Sequence, residues 1–164
     1  MDLAQLSGKP EWVFPILGKD YRFGEFRIED LAELQAWIRK NVPHPLASIK
    51  DSLVGLPAED RHYVLDRARA EAKSWPPQIG TPAGSLAMIG TIEGQIETLY
   101  RGLLIHQPET TPASAKKLYH ALLRAKEEEL ISKIFAILFG NEPHELETND
   151  PKAEGAPENP STGA

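Results

Sequence analysis

Apolar and polar positions alternate with period two at the start of the chain and with a helical period thereafter. Trp12-Val13-Phe14-Pro15-Ile16-Leu17 is apolar and β-prone, and Gly18-Lys19-Asp20 is a turn signal. Tyr21 and Phe23 follow two apart, on one face of a strand. The pattern predicts a short β-hairpin. Pro15 places its strand at an edge, because proline has no N–H to give to a ladder. Two strands alone are marginal in water, so the hairpin is expected to lie on the helix that follows.

From Ile28 the spacing lengthens. Ile28, Leu31, Leu34 and Ile38 form one stripe with Trp37 beside it, predicting a helix over 28–41. Glu29 and Asp30 in its first turn and Arg39 and Lys40 in its last suit the helix dipole. Leu46, Ile49, Leu53 and Leu56 predict a short helix closed by Gly55. Pro57, with Glu59 and Asp60 behind it, opens a third over 57–74, whose packing side is Tyr63, Val64, Ala68, Ala72 and Trp75. Residues 78–84 read as a loop running into a helical turn at 85–89, with Thr81-Pro82 as a candidate start. Ile92, Ile96, Leu99, Tyr100, Leu103 and Leu104 share the face of the next helix. Thr111-Pro112 supplies a cap and a first helical residue for the last stretch. There Leu118, Leu122, Leu130, Ile131, Ile134, Phe135 and Leu138 fit one helix over 112–139, or two with a break near 124–128. Gly140 then stands where a C′ glycine belongs.

The expected fold class is therefore mainly α, with a short N-terminal β-hairpin packed on a bundle of about five to six helices. One domain is expected over 12–142, a flexible N-terminus over 1–11, and a disordered acidic tail over 143–164. Residues 148–164 contain no large apolar side chain whose burial would offset the entropy of ordering.

Composition narrows the function. With 164 residues, 41% of them hydrophobic, the chain can build one real core. It has no cysteine, which removes disulfides, cysteine-held zinc and thiol nucleophiles and fits a reducing cytoplasm. Met1-Asp2-Leu3-Ala4-Gln5-Leu6 lacks the basic start and apolar run of a secretory signal. No stretch approaches the ~18 apolar residues of a membrane span, so no membrane partner is expected. A net charge of −6 argues against nucleic acid as a partner.

Candidate chemistry fails on named grounds. Histidines at 44, 62, 106, 120 and 144 include no pair three or four apart, so no metal site is expected. Glu59-Asp60 and Glu127-Glu128-Glu129 read as solvated helix faces. There is no G-x-S-x-G elbow. Gly80-Thr81-Pro82-Ala83-Gly84-Ser85 lacks the lysine of a phosphate loop, and Pro82 removes a donor. Gly90 and Gly94 read as a helix start with close backbone packing. No catalytic, cofactor-binding or metal residue is assigned. The strongest feature is the aromatic cluster Trp12, Phe14, Tyr21, Phe23, Phe26 and Trp37. It is either the small core joining hairpin to helix or an interaction surface. Trp12, Phe14, Tyr21, Phe23, Trp37 and Ile38 are the candidate protein-binding residues. Exposure of both Trp37 and Ile38 would favour the surface.

The order of an apolar strand, Gly18-Lys19-Asp20-Tyr21-Arg22-Phe23 and a helix opening Ile28-Glu29-Asp30-Leu31-Ala32-Glu33-Leu34 resembles the start of tail assembly chaperones of long-tailed phages and prophages. The resemblance covers residues 12–40 best. It implies a non-enzymatic morphogenesis factor, without cofactor, acting in the host cytoplasm. Its partner would be the tape measure protein, whose long helices such chaperones are thought to coat before the tail tube polymerises. Other readings are a virion component that homo-oligomerises, such as a head–tail connector or tail completion protein, and a bacterial helical adaptor.

Overall fold

Strands β1 (Trp12–Ile16) and β2 (Lys19–Phe23) pair antiparallel, with Trp12 opposite Phe23 and Phe14 opposite Tyr21. Leu17 and Gly18 form the two-residue connection at φ 52° and 75°. Two positive φ values are the pattern of a type I′ turn, whose twist matches that of the strands. The structure is a computed structural model that describes residues 11–141. The expected acidic tail, and all of the expected flexible start but Glu11, lie outside those residues.

Helix α1 (Ile28–Asn41) begins where the Asp30 carboxylate accepts the Arg27 N–H at 2.9 Å. A single turn, α2 (Pro45–Ser48), and α3 (Ala58–Ala72) follow. Then come α4 (Pro82–Ile89), α5 (Ile92–Leu104), α6 (Pro112–Arg124) and α7 (Glu128–Leu138). Among the described residues this makes six helices of two turns or more, plus the single turn of α2. The protein is mainly helical with an N-terminal hairpin, as the residue pattern predicts.

Threonines start three of the helices. Thr81, Thr91 and Thr111 each accept an N–H from three residues on, at 3.1 to 3.2 Å. The stretch 112–139 divides into two helices because Lys126 adopts φ 59°. Around it the Glu127 N–H reaches the Leu122 carbonyl and the Lys126 N–H that of Leu123, a Schellman ending with lysine in the left-handed position. The same motif ends α7, with Gly140 at φ 74°.

Helix α5 is the centre. It packs against β2, α1, α4, α6 and α7, and buries Thr98, Leu99 and Leu103. Two glycines set its spacing. A Cβ on Gly94 would stand 2.4 Å from the Met88 carbonyl oxygen, and one on Gly102 would stand 2.6 Å from a Leu138 methyl. The reading of Gly94 as a close-packing position is thus the observed one. Phe23, Leu34, Ile38, Met88, Leu122, Ile134 and Leu138 complete a core shared by the hairpin and five helices.

Three local expectations change. Ile28 is 83% exposed, because the stripe of α1 turns inward only from Leu31. Tyr63 is also exposed, leaving Ala68 as the buried residue of α3. The helix expected around 46–56 is one turn followed by turns, since α3 is its packing partner and so short a helix has little stability alone.

Candidate binding cleft

Between α4 and α7 the packing leaves a gap. Helix α4 lies on α5 and α1, while α7 lies on α5, α6 and β2, and no Cα of the one comes within 8 Å of a Cα of the other. The resulting cleft is open to solvent and has a volume of about 860 Å³. Gly84, Ser85, Met88 and Ile89 form one wall, and Glu128, Ile131, Ser132 and Phe135 the other. Phe26, Leu31, Leu138 and Phe139 close one end, where Phe26 and Phe139 meet edge to face at 5.4 Å. The Phe26 N–H donates to the Leu138 carbonyl at 2.8 Å, fixing that corner to the end of α7.

The floor carries one polar bridge. The Tyr119 hydroxyl donates to Gln95 Oε1 at 2.5 Å, and Gln95 Nε2 donates to the Ile89 carbonyl at 2.6 Å. This chain ties α6 to α5 and to the end of α4, which holds the α4 wall in place. Burial raises the Tyr119 pKa above its usual value, keeping it a neutral donor. With these groups bonded to one another, the wall is mainly apolar side chain. Carboxylates of Glu25 and Glu128 stand on the rim. Ile89 (45% exposed) lies on the lip, and Leu86 and Ile92 on the nearby surface are also exposed.

The residues singled out in the sequence divide between core and surface. Phe23 and Ile38 are fully buried and present no surface to a partner; they belong to the core. Phe14, Tyr21 and Trp37 are half-buried against that core, with Phe14 and Phe23 rings 6.0 Å apart. Trp12 is 38% exposed at the open end of the hairpin. None of the six lines the cleft. Of the cleft residues, Ile131 and Phe135 were legible only as part of a helix stripe, and Met88 and Ile89 only as part of a helical turn. Nothing in the spacing of α4 distinguishes a wall left open from one that is covered.

Among the described residues the histidines gather at no common site. His44 meets Trp75 edge to face with ring centres 4.9 Å apart and caps α2, and His106 lies against Gly24. Among the described residues no three of His, Asp and Glu come together as a metal would require. No helix among them is long and apolar enough to cross a membrane. Comparison with models of known protein families, with curated proteins and with solved structures finds no match.

Proposed function

We propose that the protein is a non-enzymatic binding protein that holds an amphipathic helix of a protein partner between α4 and α7. The observation that carries this reading is the open, mainly apolar cleft between two helices whose backbones stand apart. A helix with side chains is about 10–12 Å across, and its apolar stripe offers side chains at i, i+3, i+4 and i+7. Such a stripe would meet Ile89 on the lip and the half-buried Leu31, Leu123 and Phe139, over a floor of buried Met88, Ile131 and Phe135, while basic residues beside it would meet Glu128. Each large side chain buried contributes about 1.5–3 kcal/mol, so three or four anchors suffice for reversible binding. Reversibility suits a factor that must leave its client.

The phage reading gives this activity a setting. The protein would be a tail assembly chaperone, the client the tape measure protein, and the place the host cytoplasm before tube polymerisation. Co-expression tests it. A tape measure protein made with this chain should remain in the supernatant, and should precipitate with the Ile89→Glu variant. Equal precipitation with and without the chain would falsify the chaperone reading.

The hairpin favours a second reading, a virion component built into a ring. Among the described residues both outer edges of the two-stranded sheet are unpaired, and Trp12, Val13 and Leu17 are exposed on it. Light scattering separates the two, since a ring component sediments and scatters as a multimer of fixed size.

A further inference from the structure

Helix α6 turns one face to the core, through Ala115, Leu118, Tyr119 and Leu122. Its opposite face is basic. Lys116, Lys117, His120 and Arg124 lie there around a shallow hollow of about 600 Å³. From Thr110 to Lys126 the chain has no acidic residue. Lys116, Lys117 and Arg124 form no ion pair among the described residues, whereas five other basic side chains pair with Glu11, Glu33, Asp66, Glu71, Glu97 and Glu129.

The charge that this face lacks is found at the end of the chain. Residues 142–164 hold Glu142, Glu145, Glu147, Asp150, Glu154 and Glu158 against Lys152 alone. Residues 11–141 are close to neutral, so the net charge of −6 resides almost wholly in that segment. It leaves the described structure at Asn141, which lines the cleft, and Leu123 lines both the cleft and the basic hollow. The origin of the segment and the basic face are therefore on adjoining sides of the α6–α7 pair. A chain of 23 residues spans roughly 25 Å on average as a flexible coil, and about 75 Å fully extended. Tethering at this length gives a local concentration on the order of millimolar.

We propose that residues 142–164 of this chain dock on the basic face of α6, on Lys116, Lys117, His120 and Arg124. The contact is electrostatic: Leu146 is the one large apolar residue the segment could bring. A docked segment lies along the α6 side of the cleft and occupies the face that an anionic partner would otherwise find. The proposal does not depend on what fills the cleft.

The absence of cysteine allows a direct test in the full-length chain. A nitroxide on Ala156→Cys should broaden the amides of Lys116, Lys117, His120 and Arg124 and leave those of α3 sharp. The screening length falls from about 10 Å at 0.1 M salt to about 3 Å at 1 M, so the broadening should drop at least roughly threefold. It should also vanish in the Lys116→Glu/Lys117→Glu variant while the core resonances keep their positions. Broadening that is absent, insensitive to salt or equal on α3 and α6 overturns the proposal. Broadening seen only between separately labelled copies overturns it too, and identifies a second molecule's segment as the occupant.

Discussion

Helices α3 and α5 are nearly equal in length, 15 and 13 residues, and are held by different physics. Helix α5 buries five residues and is gripped by four other helices and the hairpin. Helix α3 buries Ala68 alone and has α2 as its neighbour. Its visible support is local: Arg67 pairs with Glu71 at 3.1 Å and Arg69 with Asp66 at 3.3 Å, both on the surface. Exposed pairs of this kind are worth a few tenths of a kcal/mol. A helix can therefore be well formed by propensity and still contribute little to the core. Amides of α3 should exchange through local opening, while those of α5 should require global unfolding.

The strongest way to break this contrast is to disturb the centre. Leu138→Ala should cost about 4 kcal/mol, because Leu138 is fully buried against Gly102. Gly94→Ala should cost about 3 kcal/mol, since the new methyl meets backbone carbonyls of α4 that cannot step aside. Tyr63→Ala on α3 should stay within about 0.5 kcal/mol. Urea unfolding of the three variants gives the comparison, and equal losses would contradict it.

A middle-sized effect is expected where the two regions join. Gln35 Nε2 donates to the Pro77 carbonyl at 2.9 Å, and the Ile79 N–H donates to Gln35 Oε1 at 2.8 Å. This side chain pins the return from α3 onto α1. Gln35→Leu should cost about 1–2 kcal/mol by leaving both backbone groups unpaired. Hydrogen exchange should quicken at Ile79 and through α3 before it changes in α5.

Smaller effects sharpen the picture at the α6–α7 turn and the cleft floor. Lys126→Gly should stabilise by about 1 kcal/mol, because glycine accepts φ 59° without a Cβ clash. The raised pKa of Tyr119 has a fixed sign. Folded protein holds that proton more tightly than unfolded protein, so stability is full below the ordinary tyrosine pKa of about 10 and falls as pH rises through the folded value. Tyr119→Phe should abolish that alkaline loss in a thermal melt series.

The architecture was legible where period and punctuation agreed. Thr81-Pro82 and Thr111-Pro112 announced helix starts, and Gly140 an end, because caps are local chemistry. The division of 112–139 was foreseen only as an alternative, since Lys126 is not a residue that signals a left-handed backbone. The cleft was not legible. Met88 and Phe135 have the spacing of core residues, and the gap between α4 and α7 follows from which helices α5 holds apart. The hairpin aromatics drew notice for their size, yet Phe23 belongs to the core and Trp12 stands at a strand end. The basic face of α6 did have a sequence signal, the acid-free run from Thr110 to Lys126, hidden within the overall charge of −6.

The cleft is the surface proposed to take a partner's helix. The most direct measurement is an amide shift map of the full-length chain titrated with a basic amphipathic helical peptide from a tape measure protein. The account predicts saturable shifts at Met88, Ile89, Ile131 and Phe135, lost in Ile89→Glu. Shifts confined to Trp12, Val13 and Tyr21, or no saturable shift at all, would contradict it.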